Sequence, residues 1–443
     1  MNNMKKTENT IQEPELSQAP KKADKFIGGH RSYVLFILVL VYALNIADRQ
    51  IVAILAEPIK AELGLKDWQV GFLTGTAFAL LYATLGIPIA RLADRLHRVN
   101  IIAIALAVWS AMTMLCAVTV NFTQLALARV GVGIGEAGGS PPSVSVIADY
   151  YPRVQRSTAM GIYALGPSFG TLVGFVVGGW VNELYGWRVA LLTVGMPGIL
   201  LALVVKFTIR EPKREFSTAS TSNDSPGFWK VLSALWSIPT FRLVNIAAAA
   251  AAVTFYGVLI WMPPYFIRTY GLSTGEVGTA LGLIAGIGGG VGAFLGGLLA
   301  DKMSKKNIRW QMRVPAIAML LLFPFLLLTI SASSPLWAFV FLTPTYMMAF
   351  AYTGPTWAIL QTVSPVHMRA TATAIMLLIV NLVGLGVGPP VIGMISDILH
   401  SDVDASGLRY AIGITGSISL IASLIYYLAS RSIKKDVKDT APH

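Results

Sequence analysis

Charge is what this chain has least of. Only 13% of its 443 residues are Asp, Glu, Lys or Arg, about half of the ~25% that a soluble domain carries. With 55% hydrophobic residues and a mean hydropathy of +0.65, a water-soluble fold could not keep its surface wet. Lipid must therefore be the solvent for most of the chain. Cysteine is nearly absent. Cys116 stands alone in an apolar run, which excludes an internal disulfide and a cysteine zinc site and reads as a small buried hydrophobe. No cleavable signal peptide is expected either, because residues 1–32 read as polar and mixed in charge. Also absent is any basic segment interleaved with aromatics, which excludes nucleic acid as a partner despite the net charge of +12.

What is present is a series of apolar stretches of about 20 residues, long enough to cross a bilayer. Twelve are expected, numbered here as spans 1 to 12: 33–57, 69–92, 99–119, 123–148, 157–182, 187–209, 243–267, 276–300, 312–331, 335–361, 368–395 and 408–430. Residues 1–32 read as a disordered tail. Residues 210–242 read as a linker between the halves 33–209 and 243–430, with a surface helix around Phe228–Trp236. Residues 431–443 form a second tail. The expected fold class is an all-α membrane protein, with twelve transmembrane helices in two pseudo-symmetric six-helix bundles. Of the 34 lysines and arginines, 27 fall at the end that holds both tails and the linker. Five fall at the opposite end, and that imbalance is expected to hold both termini in the cytoplasm.

The halves repeat one another. Span 2 runs from Val70-Gly71 to Leu92-Ala93-Asp94-Arg95, and span 8 from Val277-Gly278 to Leu299-Ala300-Asp301-Lys302, an offset of 207. Arg156-Ser157-Thr158-Ala159 and Arg369-Ala370-Thr371-Ala372, which open spans 5 and 11, are offset by 213. Two matches at nearly one offset argue for duplication. Parallel six-helix halves around a midplane site suit alternating access. Asp94, Arg95, Arg98, Asp301 and Lys302 lie at helix ends, where a carboxylate could latch the halves when they close on that side. The Ala90-Arg91-Leu92-Ala93-Asp94-Arg95-Leu96-His97-Arg98 stretch and its echo Gly297-Leu298-Leu299-Ala300-Asp301-Lys302 resemble the signature of the major facilitator superfamily. That motif usually opens with Gly, where this chain has Ala90.

A charge at mid-membrane costs a few kcal/mol and needs a reason. Span 1 carries Asp48 and Arg49; span 4 carries Arg129 and Glu136. At 1.5 Å per residue, Asp48 lies roughly 22 Å from one end and Arg129 roughly 10 Å from the other. In a core about 30 Å thick these depths nearly coincide. Asp48 and Arg129 are therefore expected to pair, with Glu136 two turns along the same face as the next acceptor. Arginine stays charged, whereas a carboxylate can take up a proton, so Asp48, Arg129 and Glu136 form a candidate proton-coupling switch. Arg49 is expected to face elsewhere, toward neighbouring helices or the membrane interface. The second half is apolar and aromatic at these depths: Leu342 and Ala349 stand where Arg129 and Glu136 would repeat. Tyr256, Tyr346, Tyr352, Trp357 and Asn381, with Arg129 and Glu136, are the expected substrate contacts. A charged wall facing an aromatic one suits an anionic amphiphile.

Two patterns mislead. Gly166-Pro167-Ser168-Phe169-Gly170 mimics a hydrolase elbow but lies in an apolar helix, where Gly166 and Pro167 read as a gating kink. Gly133-Ile134-Gly135-Glu136-Ala137-Gly138 mimics a dinucleotide loop but has no βαβ unit around it, and its glycines read as a helix-packing face. Pro141-Pro142 should break span 4 just past Glu136.

Asn45-Ile46-Ala47-Asp48-Arg49, Gly135-Glu136-Ala137, Ser140-Pro141 and Ile147-Ala148-Asp149-Tyr150-Tyr151-Pro152 are similar to the spinster-type branch of the superfamily. That resemblance implies a bacterial inner-membrane, proton-coupled transporter of lysolipids or sphingoid lipids, with Asp48, Arg129 and Glu136 as its proton and substrate residues. Anion:cation symporters share a similar span 4, so an organic-acid or aromatic-acid permease is the alternative. A membrane-embedded lipid-modifying enzyme would need a paired nucleophile and base, or metal ligands, at one depth, and none is evident. The expectation is a monomer that is not an enzyme and uses no cofactor or metal, with the proton gradient as its energy source and the bilayer and a small amphiphilic or organic anion as its partners.

Overall fold

The computed structural model describes residues 22–212, 228–365, 368–399 and 407–440. The side chains of Arg91, Asp94 and Arg95 lie outside the described set, so the latch expected of Asp94 and Arg95 does too. Among the described residues the regular structure is entirely helical, and eleven helices are long and apolar enough to span a bilayer. The twelfth crossing is span 4, which is divided into Phe122–Glu136 and Ser140–Tyr150. Pro141 and Pro142 supply no N–H to continue the ladder, so the chain turns at Ala137–Gly139 directly after Glu136.

Local chemistry sets the helix ends. Asn121 caps span 4 by accepting from the Gln124 N–H at 2.9 Å, and a Ser273–Glu276 capping box opens span 8. Gly186 and Gly271 turn the chain after spans 5 and 7 with φ of 85° and 65°, conformations that L side chains resist. Two expected boundaries are wrong. Helix begins at Lys22, inside the expected N-terminal tail, because a nucleated span extends by one hydrogen bond per added residue. At the other terminus the helix Ile418–Thr440 runs through the expected tail. It is held there by buried Ile433 and by Asp436, which accepts from the Thr240 N–H at 2.8 Å. The linker helix is Phe228–Ser237, with Leu235 inward and Trp229 exposed.

The two halves meet through the helices that carry the repeat. Gly71 of span 2 lies against the Pro389 carbonyl of span 11, and Gly278 of span 8 against the Phe175 carbonyl of span 5. One turn on, Gly75 faces the Leu385 carbonyl and Gly282 the Leu172 carbonyl. The glycine pairs are offset by 207, and Leu172 and Leu385 by 213. The duplication is thus a pseudo-twofold pair of glycine-on-carbonyl contacts. These contacts occupy the end bearing the span 1–2 loop, hereafter the distal end. Toward the linker end they run out: a Cβ on Gly86 of span 2, or on Gly297 of span 8, would meet nothing within 4 Å. The halves therefore diverge toward the linker end.

An ionic network rims the distal seam. Arg268, in the last turn of span 7, bonds both carboxylate oxygens of Asp67 at 2.7 Å and Glu57 at 2.8 Å. Lys60 adds a 2.5 Å bond to Asp67. Asp397 of span 11 accepts the N–H groups of Asp67 and Trp68 at 3.0 and 2.8 Å, capping the start of span 2. Arg268→Ala should loosen this rim. In a Cys116→Ala background, maleimide labelling of a cysteine at Thr274 should then speed up about tenfold, the factor given by roughly 1.4 kcal/mol of lost closure energy. An unchanged rate would assign closure to the glycine contacts alone.

Candidate functional site

The site depends on how close span 4 comes to its neighbours. A Cβ on Gly133 would stand 2.6 Å from the Phe78 carbonyl of span 2, and one on Gly135 would stand 2.6 Å from the Trp109 nitrogen of span 3. Only glycine allows that spacing, which brings Arg129 and Glu136 up to span 1. The dinucleotide-like stretch is therefore a packing face. The elbow-like stretch is one as well, since Gly170 lies on the Ala43 carbonyl. Span 5 breaks at Ala164–Leu165, between Arg153–Tyr163 and Gly166–Tyr185, so Gly166 and Pro167 sit at its kink.

Two ion pairs result. Asp48 and Arg129 are each 2% exposed, with Arg129 Nη1 at 3.9 Å from Asp48 Oδ1. That separation attracts charge to charge without making a hydrogen bond. Asp48 Oδ2 instead accepts from the Thr113 hydroxyl of span 3 at 2.5 Å. The second pair joins Arg49 Nε to Glu136 Oε2 at 2.6 Å, with Arg49 Nη2 donating to Asn45 Oδ1 at 3.3 Å. The Arg49 guanidinium lies 4.5 Å from the ring centroids of both Phe78 and Tyr82, and that of Arg129 lies 5.6 Å from Phe78. The electron-rich Phe78 ring thus serves both cations.

Arg49 does face neighbouring helices, but those of the site itself, through Glu136 on span 4 and Phe78 and Tyr82 on span 2. Adjacent residues on a helix do point about 100° apart, but an arginine side chain is long enough to turn back to Glu136. The Arg49 side chain keeps 16% exposure while that of Glu136 has none. The cation presented to the gap between the halves is therefore Arg49. Arg129, the expected substrate contact, is packed against Val52, Leu73, Thr74 and Leu125 on the distal side.

Several groups are half-satisfied. Among the described residues, Asp48 Oδ1, Arg129 Nε and Nη1, and Glu136 Oε1 are buried without a hydrogen-bond partner. Each such atom costs about 1–3 kcal/mol while it is left unpaired.

On the opposing half, Tyr256 comes within electrostatic reach of Arg49 and Tyr82. Tyr346 and Tyr352 do not line the gap in this conformation. Both are buried in the second half's core, Tyr352 beside Tyr426. Asn381 is also buried and donates to the Leu377 carbonyl of its own helix. Trp357 packs, half-buried, against the same core. Their apolar surroundings reward burial, which a reading by depth alone does not register. Tyr42, two turns from Arg49 toward the linker end, stacks on Tyr163 at 4.7 Å. Of the expected latch residues, Asp301 and Lys302 are exposed. Arg98 does not bridge the halves. It pairs with Asp149 of its own half at 2.5 Å and with Glu211 at the start of the linker at 2.7 Å, where Glu211 also reaches the Val99 N–H that opens span 3.

The family model described as "Major Facilitator Superfamily" matches residues 38–389. An "MFS-type efflux pump" of Mycolicibacterium smegmatis is 32% identical, over 91% of this chain and 94% of its own. A "Probable galactarate/D-glucarate transporter" of Bacillus subtilis is 25% identical over 92% and 93%. The crystal structure of a bacterial homolog to the human lysosomal transporter Spinster, in an inward-facing and unoccupied conformation, is similar with a TM-score of 0.83. It is 32% identical and the match covers 92% of this chain and 98% of that one. The chain belongs to the major facilitator superfamily, as a multi-pass membrane transporter of the spinster-like kind.

Replacing Gly135 by Ala should push span 4 off Trp109 and misplace Glu136. The expected loss is about 1–3 kcal/mol, read as a lower thermal midpoint of the detergent-solubilised protein. An unchanged midpoint would mean that spans 3 and 4 part without strain.

Proposed function

We propose that this superfamily member is a proton-coupled secondary transporter that moves an anionic amphiphile, a lysolipid or sphingoid-type lipid, by alternating access. The observation that carries the proposal is the buried quartet on spans 1 and 4, of which one member, Arg49, is open to the gap between the halves. A substrate anion entering there competes with Glu136 for Arg49. Once displaced, Glu136 is a bare carboxylate in apolar surroundings, a state that uptake of one proton relieves. Asp48 is the second protonation site. Neutralising it releases Arg129, already 3.9 Å away and only partly bonded, and so uncouples spans 1 and 4. The aromatic rings of Tyr42, Tyr82 and Tyr256 offer the substrate body an apolar wall.

The imbalance of lysine and arginine assigns the linker end to the cytoplasm. With the distal seam closed, the gap then opens inward, the conformation named for the spinster homolog it resembles. Transport of a sugar acid is the second reading, favoured by the similarity to the galactarate/glucarate transporter. It needs the same Arg49 anion contact but no aromatic wall.

Both readings are tested in proteoliposomes under an imposed pH gradient, with lysophosphatidylglycerol flux compared against glucarate flux. Faster glucarate flux would favour the second reading. Asp48→Asn should abolish gradient-driven flux in a folded protein, and undiminished flux would remove Asp48 as a coupling site. Arg49→Ala should lower flux of the anionic substrate about ten- to hundredfold, the worth of one charge-assisted hydrogen bond. It should spare a neutral monoacylglycerol, and equal loss for both would count against an anion contact.

A further inference from the structure

A second charged assembly lies on the outside of the molecule, away from the gap between the halves. At the linker end of spans 9 and 12, Arg309, Arg313 and Arg431 gather around one tyrosine. Arg431 holds its guanidinium 5.2 Å from the Tyr427 ring, and all three arginines act electrostatically on the Tyr427 hydroxyl. Arg313 also lies 5.5 Å from the ring of Trp310. Among the described residues none of the three makes an ion pair with a carboxylate. The Nε atoms of Arg309 and Arg313 are buried and unbonded. Three clustered cations without a counter-charge repel one another, and an anion placed among them would relieve that.

Two apolar grooves start from this point and run down opposite flanks of span 9. One, of about 570 Å³, is bounded by Arg313, Ile317 and Leu320 on span 9 and by Leu420, Leu424 and Tyr427 on span 12. The other, of about 380 Å³, lies between spans 8, 9 and 10 and is almost wholly apolar, floored by Gly292 and Gly296. Trp310 and Ile317 border both. From Arg313 to Leu320 the groove is about 10 Å long, and Ile317, Leu320 and Leu424 are exposed along it.

We propose that this face is a binding site for an anionic diacyl phospholipid of the surrounding bilayer. The headgroup phosphate would sit among Arg309, Arg313 and Arg431, and one acyl chain would lie in each groove beside span 9. Charge sets the headgroup: three arginines with no acidic neighbour select a phosphate that carries net negative charge over a zwitterionic one. Two channels diverging from one basic point match a lipid with two tails. The interfacial Trp310 and Tyr427 suit the headgroup depth. The site is independent of the transport reading, because none of its residues belongs to the quartet or to the distal seam.

Native mass spectrometry of the purified full-length protein tests the proposal. It would be titrated with phosphatidylglycerol and with phosphatidylcholine of identical chains. The wild type should retain phosphatidylglycerol preferentially. Arg309→Gln, Arg313→Gln and Arg431→Gln together should remove the preference, at on the order of fivefold in occupancy per arginine. Leu320→Trp, which fills the first groove, should weaken phosphatidylglycerol more than lysophosphatidylglycerol. Equal retention of the two diacyl lipids by the wild type would overturn the proposal, as would a preference that survives in the triple variant. Displacement by inorganic phosphate alone would also overturn it, since the grooves would then contribute nothing. Should the triple variant not assemble, the exposed Arg431→Gln change alone decides: a fivefold loss supports the site and no loss rejects it.

Discussion

Four ionisable side chains in an apolar bundle must satisfy one another, and the whole first half is arranged so that they can. The glycines of span 4 exist at the spacing that brings Arg129 and Glu136 within reach of Asp48 and Arg49. The proline pair that follows turns the chain once Glu136 is in place. Span 3 contributes Thr113 to the acid, and span 2 contributes Phe78 to both guanidinium groups. Neither pair is fully bonded. Two short, saturated ion pairs would be stiffer but would also hold the helices in a single arrangement. The second half has no such requirement at the repeat-related positions, Leu342 and Ala349, and its Tyr346 and Tyr352 are buried as ordinary core.

The architecture was legible because its causes are local or repeated. Span lengths follow from the thickness of a bilayer. The break in span 4 follows from two prolines, and the halves follow from offsets of 207 and 213 that recur in the contacts between Gly71, Gly75, Gly278, Gly282 and their partner carbonyls. The depth of Asp48 against Arg129 could be counted in residues. What could not be counted was the path of a long side chain, so the partner of Arg49 stays open in the sequence. The distal rim was invisible for another reason: Asp67 and Asp397 are 330 residues apart, and nothing in a helical period links them. In the sequence Arg268 is one of five basic residues on the less basic side, with nothing to mark its partners.

The four helices that join the halves share one further property, which is that each is interrupted. Span 2 breaks at Gly75 and span 5 at Ala164–Leu165, while spans 8 and 11 contain π-helical turns at Ile284–Gly288 and Val380–Leu385. A π turn or a missing hydrogen bond lowers the resistance of a helix to bending at one point. The bend points lie where the close contacts give way to the divergent part, so the helices can flex there while their distal segments stay docked.

A seam made mostly of glycine against backbone carbonyl has few interlocking side chains, Trp180 and Asn182 against Thr279 and Thr274 among them, and so few rotamers to reset when it parts. Its plates slide off one another smoothly, and friction between them is low. The stiffness of the resting pose is then delegated to a handful of ions at the rim, around Arg268 and Asp67. Asp67 is shielded from water and its partners lie at hydrogen-bond distance, so salt in the surrounding solution screens these pairs only weakly. The poise of the whole molecule thereby hangs on a few short, partly buried ion pairs at one edge.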